Sequence, residues 1–220
     1  MSTTLSESES KELLTRFGVP FLPEALVTDP AAAVAFAEGF DSPMALKLCG
    51  ANIAHKSERG LVRLGVNGSS AVSDACLSLL NAARPDDEAT GVLIAPMATG
   101  LREFIAGVLV DPVFGPTVVF GLGGVLAEAI ADVTVRLAPL RRYDAFDMLK
   151  SLRSKALFGP FRGEDAVNLD AVTDLLCALS RAATEIEGVV SIDLNPVMIV
   201  DGQPVALDAL VEVESPRVLL

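Results

Sequence analysis

A segment near the C-terminal end of the chain constrains its folding most, because two alternating apolar runs flank the dipeptide Asp201-Gly202. Asp-Gly between such runs is the strongest short-range signal for a β-hairpin. An even-numbered loop centred on this dipeptide places Asn195 directly opposite Asp208, with Cβ atoms about 5 Å apart. Asp193 is two residues from Asn195 and therefore lies on the same face of its strand. The sequence thus predicts that three oxygen-bearing side chains converge at this hairpin.

The side chains of Asp193, Asn195 and Asp208 suit a hard cation such as Mg²⁺, which takes one or two carboxylates and fills its other positions with water and phosphate oxygens. The alternative is an edge hairpin with a polar, solvated face, and Pro204 favours an edge position because proline cannot donate to a central ladder. A three-residue loop would also move Asp208 to the other face. The hairpin alone leaves these interpretations open.

The chain contains one histidine, His55, in the polar loop 54–60, which follows an apolar run that carries Lys47. An imidazole titrates near neutral pH, so His55 is a candidate nucleophile or base. A histidine beside three charges in a loop is more often an ordinary solvated residue. Residue chemistry alone therefore favours a solvated histidine over a catalytic one.

Composition limits both the core and the partners of the chain. Hydrophobic residues make up 51% of the 220 residues and aromatic residues only 5%, so Ala, Val and Leu must build the core, which suits an α/β protein. The formal net charge of −12 opposes the approach of nucleic acid or an anionic membrane. The three cysteines are widely spaced, which fits reduced thiols and offers no zinc motif. With no bilayer-spanning stretch and no signal-peptide pattern, we expect a cytoplasmic protein without a nucleic-acid or membrane partner.

The periodicity of the apolar residues predicts alternating helices and strands. A first helix opens at the capping box 6–9 and ends at Gly18. Further helices are expected at 31–40, 69–83, 126–131, 144–153 and 168–184, and strands at 44–48, 61–66, 92–97, 102–110, 116–121, 132–137 and in the two arms of the hairpin.

This pattern predicts an N-terminal helix and linker over 1–25, a small lobe over 26–90 and a large lobe over 91–220. The boundary is placed at the polar segment 84–91, where the periodicity breaks. The glycine-rich turn 121–124 fits neither the Rossmann fingerprint nor a Walker A loop, and packing of the turn explains it better than nucleotide binding.

Several motifs occur in a consistent order along the chain: Glu9-Ser-Lys-Glu-Leu-Leu14, Phe17-Gly-Val-Pro20, Ala45-Leu-Lys-Leu48, His55-Lys-Ser57, Val92–Met97, Asp111–Gly124, Val135–Leu140, Asp193-Leu-Asn-Pro196 and Ala206-Leu-Asp208. With these motifs, residues 5–214 resemble the ATP-grasp subunit of the NDP-forming acyl-CoA synthetases. This group contains ADP-forming acetate–CoA ligase and, more distantly, the succinyl-CoA synthetase β chain. The resemblance implies an α/β (α+β) chain with the ATP-grasp fold, in which two lobes bind a nucleotide between them.

The resemblance also implies a reaction and its cofactors. In this family an acyl-CoA, ADP and phosphate are interconverted with a carboxylic acid, CoA and ATP through a phosphohistidine relay, with ATP or ADP and Mg²⁺ bound. Lys47 is expected to hold the nucleotide phosphates and Glu103 to lie near the ribose. The strand that contains Ile94, Ala95 and Met97 is expected to contact the adenine through its backbone.

The metal and the histidine have counterparts in the same family. Asn195 and Asp208 match its magnesium ligands, with Asp193 in the acidic position before them, and His55 matches its second phosphohistidine. The family's CoA-binding and first phosphohistidine domains lie on another subunit or a fused segment. We therefore expect a hetero-oligomer with a CoA-binding α-type subunit, through which CoA and the carboxylic acid take part in the reaction.

Two other functions compete with this expectation. The chain could be a nucleotide-binding regulatory module of an acyltransferase or sensor complex without turnover. It could also be a carboxylate–amine ligase that works through a free acylphosphate. The second of these would need no histidine, so a functional His55 argues against it.

Overall fold

The chain forms two compact units, each with its own sheet and core. The computed structural model describes residues 2–53, 56, 58–124 and 127–214, apart from the side chain of Glu128. Within these residues the smaller unit comprises 6–8 and 22–98, and the larger unit comprises 2–5, 9–21 and 99–214.

Helices and strands follow one another along the described residues. In order they are β1 (Ser2–Thr4), α1 (Glu7–Thr15), β2 (Ala25–Val27), α2 (Pro30–Ala37), β3 (Met44–Gly50), β4 (Val62–Val66), α3 (Ser69–Ala82), β5 (Ala89–Pro96), β6 (Glu103–Asp111), β7 (Gly115–Leu122), α4 (Ala127–Ile130), β8 (Val133–Leu137), α5 (Arg142–Ser151), α6 (Leu169–Glu185), β9 (Val189–Val200), β10 (Gln203–Ala206) and β11 (Leu210–Glu214). Short 3₁₀ turns at Pro85–Asp87 and Lys155–Phe158 precede β5 and α6.

The smaller unit is an antiparallel sheet in the order β2-β5-β3-β4, whose core also contains residues of α2 and α3. The strand period of two places Met44, Leu46 and Leu48 of β3 in this core and turns Lys47 to the opposite face. Lys47 is thus carried by an inner strand, between β4 and β5.

The larger unit is an antiparallel sheet in the order β1-β11-β9-β6-β7-β8, with β10 added beside β9. Helices α5 and α6 contribute to its core. The helix predicted over 168–184 is confirmed as α6, and its apolar residues Val172, Leu175, Leu176 and Leu179 are all buried. In the described part of the chain, no helix combines the length and the apolar character that a bilayer crossing would need.

The closing hairpin has the predicted register. Asp201 and Gly202 have φ angles of 49° and 76°, as a two-residue type I′ loop requires. The pairing of β10 with β9 ends with Ala206 opposite Val197, in the register that this loop dictates. Among the described strands β10 pairs with β9 alone, which confirms the edge position of Pro204 and excludes the three-residue loop.

The structure differs from the sequence prediction in two respects. The strands β1, β2 and β11 were not predicted, because segments of 3 to 5 residues show too little alternation and depend on distant partners. The predicted lobe boundary at residue 90 also differs from the observed division between Ala98 and Thr99, since β5 lies between β2 and β3. The described part of the predicted N-terminal segment 1–25 is divided between the two units.

Candidate functional site

Lys47, the predicted phosphate-binding residue, belongs to a cluster of three charged side chains in the smaller unit. Its Nζ donates to Oε1 of Glu7 at 2.8 Å, and Nζ of Lys56 donates to Oε2 of the same carboxylate at 2.7 Å. The Glu7 side chain is only 1% exposed, whereas each lysine side chain is 18% exposed. A buried carboxylate therefore holds two ammonium groups where the sequence predicts that phosphates bind.

The segment that follows His55 is anchored by Asp87. Arg59 donates to both carboxylate oxygens of Asp87, at 2.7 and 2.8 Å, and the Arg84 backbone N–H donates to the same carboxylate at 2.8 Å. The pKa of Asp87 is lowered to about 2, mainly by the hydrogen bond from Arg59 and then by that from Arg84. His55 itself lies outside the described residues, so its catalytic role stays a prediction.

The strand predicted to contact adenine is β5, which lies inside the smaller sheet. Ile94 lies opposite Ala25 of β2, and its side chain is fully buried in the core. Ala95 lies on the other face of the sheet, which is also the face of Lys47. Met97 follows the end of β5, and its N–H donates to a backbone carbonyl oxygen at 2.8 Å. Ile94 therefore anchors β5 to the core of the smaller unit. Ala95 and Met97 lie beyond the segment of β5 that pairs with β2.

Glu103, predicted to lie near the ribose, begins β6 in the larger unit beside the glycine-rich turn. Its carbonyl oxygen accepts a hydrogen bond from the Gly123 N–H at 2.9 Å. A Cβ atom on Gly123 would lie only 2.9 Å from the carbonyl carbon of Phe104, so a larger residue would not fit. A Cβ atom on Gly124 would lie 3.5 Å from Oε2 of Glu103. The turn thus packs closely against Glu103, which agrees with the packing interpretation of its glycines.

Arg102 ties the loop before α6 to the start of β6. Its side chain is 1% exposed, and its Nε donates to Oε2 of Glu164 at 2.9 Å. Its terminal nitrogens donate to the backbone carbonyl oxygens of Leu157, Gly159 and Asp165. A buried guanidinium with this many acceptors fixes the backbone around it, and the next residue is Glu103.

The three predicted magnesium ligands lie on or beside β9 in the larger unit. Asp193 and Asn195 are exposed on β9 and alternate with buried neighbours, so they share one face. Past the last pair of the hairpin ladder, the Leu207 N–H still donates to the Pro196 carbonyl oxygen at 3.0 Å. Continuation of this register predicts Asp208 opposite Asn195. Asp193 and Asp208 lie close enough for their charges to interact, and the position of Asn195 beside Asp208 stays a prediction.

The two carboxylates of this group influence each other. Asp193 as a residue is exposed, but partial burial of its carboxylate raises its pKa, and the negative charge of Asp208 raises it further. No three His, Cys, Asp or Glu side chains form a metal cluster within the described residues. Two carboxylates and the Asn195 amide oxygen nevertheless fit Mg²⁺, which keeps several water ligands. A groove of about 250 Å³ beside Asp193 offers room for a ligand and is also lined by Gly107, Leu109, Val119 and Ser191.

Three residues support the candidate site although no sequence signal indicates their role: Glu7, Asp87 and Arg102. Glu7 lies inside a helix-capping motif, and Asp87 lies in a polar segment that indicates a boundary. Their ion pairs join residues that are 40 or 49, 28 and 62 positions apart, respectively. Only the folded chain brings the partners together, so local spacing could not reveal these contacts.

Known proteins resemble the chain over nearly its full length. The family described as ATP-grasp domain matches residues 1–213. Acetate–CoA ligase [ADP-forming] I subunit beta of Pyrococcus furiosus is 33% identical over 208 residues, which cover 93% of this chain and 90% of that protein.

Solved structures resemble the fold just as broadly. The dinucleotide-forming acetyl-coenzyme A synthetase 1 of Ca. Korarchaeum cryptofilum, in complex with coenzyme A, Ca-AMPCP and HgCl⁺, gives a TM-score of 0.89 at 33% identity and covers 96% of this chain and 94% of its own. A second structure of that enzyme contains coenzyme A and Mg-AMPPCP, with its phosphohistidine segment pointing towards the nucleotide-binding site. It gives a TM-score of 0.84 at 32% identity and covers 96% and 93% of the two chains.

Proposed function

Because the chain belongs to the ATP-grasp family that contains the β subunits of ADP-forming acetate–CoA ligases, we propose that it is the nucleotide-handling subunit of an ADP-forming acyl-CoA synthetase. Such an enzyme interconverts an acyl-CoA, ADP and phosphate with a carboxylic acid, CoA and ATP. The observation that carries this proposal is the alignment, nearly end to end, with a β subunit of such a ligase. A regulatory module without turnover is not favoured, because the relatives are ligases.

The chemical step that we assign to this chain is phosphoryl transfer between ADP and His55. In the direction of ATP synthesis, a β-phosphate oxygen of ADP attacks the phosphorus of the phosphorylated imidazole. The N–P bond breaks and its electrons return to the ring nitrogen. The other ring nitrogen keeps its proton, so the imidazole that remains is neutral. Such a transfer depends on positioning and charge neutralisation more than on other covalent chemistry.

The residues of the site would supply that positioning and charge. Lys47 would bind the phosphate oxygens, Glu103 the ribose, and the backbone at Ala95 and Met97 the adenine. Ile94 would support this strand through the core. Mg²⁺, when bound, supplies positive charge that neutralises phosphate oxygens. Its proposed ligands are Asp193, Asn195 and Asp208.

A partner subunit completes the proposed enzyme. The relative from Pyrococcus furiosus is named as a β subunit, and the related synthetase was solved with coenzyme A bound. We propose that the partner of this chain is an α-type subunit that carries the CoA site and reacts with the carboxylic acid. The resulting hetero-oligomer would work in the cytoplasm.

An assay of the chain with and without this partner tests the proposal. We expect the purified chain to bind Mg-ADP but to form no acyl-CoA from ATP, CoA and short carboxylic acids until the CoA-binding subunit is added. The partner alone serves as the control and should also be inactive. Substantial turnover by the isolated chain would contradict the assignment as a subunit, and no turnover by the assembled pair would contradict the assignment as an enzyme.

A further inference from the structure

We infer that Glu7 is a positioning residue for phosphoryl transfer, because its buried carboxylate holds Lys47 and Lys56 together as one cationic pair that receives phosphate oxygens. This inference rests on the proposed function, since it gives Lys47 its role towards the nucleotide. It adds a residue of α1, outside the strand and the loop that carry the two lysines, to the phosphate-handling part of the site.

The geometry joins three separate segments of the smaller unit. Glu7 comes from the first turn of α1, Lys47 from β3 and Lys56 from the segment after β3. Each ammonium group binds a different oxygen of the carboxylate, Lys47 at 2.8 Å and Lys56 at 2.7 Å. The two lysines are therefore connected through a single carboxylate that is almost fully buried.

Charge explains why this arrangement can receive a phosphate. A buried carboxylate is costly unless cations compensate it, and here two ammonium groups surround one carboxylate. Two lysines and one glutamate sum to a formal charge of +1, and both lysine side chains remain partly exposed. An anion can therefore reach the ammonium groups from solvent.

Glu7 also restrains two long, flexible side chains. A free lysine loses rotamer freedom when it binds a ligand, which weakens the binding. The bond to Glu7 fixes each ammonium group before the ligand arrives, and the backbone of Lys56 is held as well because its carbonyl oxygen accepts from the Leu61 N–H at 2.8 Å. Lys56 directly follows His55 in the sequence. Glu7 thus links Lys47, the proposed phosphate-binding residue, to Lys56, the immediate neighbour of the histidine.

The variant Glu7→Gln distinguishes a positioning role from competition with phosphate and from a purely structural ion pair, because the three roles predict different changes in nucleotide affinity. If Glu7 only competed with phosphate for the lysines, removing its charge would tighten nucleotide binding. If Glu7 were only a structural ion pair, the change would lower stability and leave the affinity of the folded protein unchanged. If Glu7 positions the lysines, their mutual repulsion moves them apart, and both nucleotide affinity and the phosphoryl-transfer rate fall.

The experiment measures Mg-ADP binding by calorimetry on the full chain and turnover after assembly with the CoA-binding subunit. We expect Glu7→Gln to weaken binding about tenfold or more, the loss that one charged hydrogen-bond partner typically causes. The matched control is Glu12→Gln, on the same helix, because Glu12 is 73% exposed and pairs with the equally solvated Arg16. This control should bind and turn over like the parent.

If Glu7→Gln folds poorly, the double variant with Lys56→Met, which removes both charges together, is compared with Lys56→Met alone and should bind Mg-ADP more weakly, whereas equal or tighter binding would overturn the inference. If Glu7→Gln folds, all four proteins form a double-mutant cycle. We expect the effect of Glu7→Gln to be smaller when Lys56 is absent, and independent, additive effects would overturn the inference. Equal or tighter Mg-ADP binding by folded Glu7→Gln would also overturn it. If the parent itself bound no Mg-ADP, the proposed function would fail instead, so the two failures are distinguishable.

Discussion

At the scale of single residues, the compensation of charge determines how the candidate site is built. Glu7, Asp87 and Arg102 are buried charges, and each has an opposite charge within 3 Å. The pair Asp193 and Asp208 is of the other kind, because the pKa of Asp193 is raised by burial and then by the negative charge of Asp208. A cation bound by these carboxylates would remove their repulsion, which is the electrostatic argument for magnesium at this position.

The variant Asp208→Asn tests the magnesium assignment. It keeps the size of the side chain but removes its charge, so we expect Mg-ADP affinity to fall about tenfold or more. The free energy of unfolding should change by less than about 1 kcal/mol, because Asp208 is only half-buried and asparagine can still accept the hydrogen bond from the Ala209 N–H. Calorimetric titration with Mg-ADP measures the first quantity and urea denaturation the second.

The control for this variant is Asp201→Asn in the same hairpin. Asp201 has a φ of 49°, a conformation that asparagine also adopts readily, and it lies in the loop rather than beside Asn195. Asp201→Asn should bind Mg-ADP like the parent. If Asp208→Asn also bound Mg-ADP as tightly as the parent, Asp208 would not be a magnesium ligand.

At the scale of elements, local signals predict structure where the sequence carries its own start, stop or period. The Asp201-Gly202 loop fixes the register of the hairpin, whose ladder ends with Ala206 opposite Val197, and continuation of this register predicts Asp208 opposite Asn195. The buried stripe of α6 follows in the same way from its period. Strands such as β1 and β11 could not be predicted, because they depend on pairing with distant segments, β1 with β11 and β11 also with β9.

The contacts that anchor the loop carrying His55 also could not be predicted from local sequence signals. Its anchor is the ion pair between Arg59 and Asp87, and nothing in the spacing of these residues indicates the contact. The Asn52 N–H also donates to the Asp87 carbonyl oxygen at 3.3 Å. A Cβ atom on Gly50 would lie 2.5 Å from that oxygen, so glycine is needed where the two segments meet. Asp87 therefore connects both sides of the loop to the 3₁₀ turn before β5.

The Asp87 anchor predicts a pH dependence of stability. The pKa of this carboxyl is lowered to about 2 from its ordinary value of 3.8, mainly by the hydrogen bond from Arg59. The stabilisation by the charged carboxylate is therefore fully present above the ordinary pKa and is lost as the pH falls from about 4 towards 2. We expect the free energy of unfolding to fall over this range in the parent.

The variant Asp87→Asn isolates this contribution, because asparagine does not titrate. Denaturant unfolding between pH 2 and pH 6 should show a steeper acid loss of stability in the parent than in Asp87→Asn. Asp74→Asn provides the control and should follow the parent curve, because Asp74 lies on α3 away from the Arg59 contact. Identical acid slopes in the parent and Asp87→Asn would show that the anchor does not contribute.

At the scale of the whole molecule, the ATP-grasp fold implied by the ordered motifs is confirmed. The motifs identify this fold because they combine local signals from both units, from Lys47 in one to Asp208 in the other. The division between the units was harder to place, since the polar segment before β5 marks a turn within the smaller sheet. Polarity alone cannot distinguish a turn inside a unit from a boundary between units.

The proposed mechanism requires that phosphate pass through His55 during acyl-CoA synthesis. The most direct test labels the chain, assembled with its CoA-binding subunit, with γ-labelled ATP and magnesium. Because His55 is the only histidine in the chain, phosphohistidine identified on this subunit must lie there. We expect label on the parent subunit, and neither label nor acyl-CoA synthesis with His55→Ala or His55→Asn. Acyl-CoA synthesis by these variants at the rate of the parent would contradict phosphoryl transfer through His55.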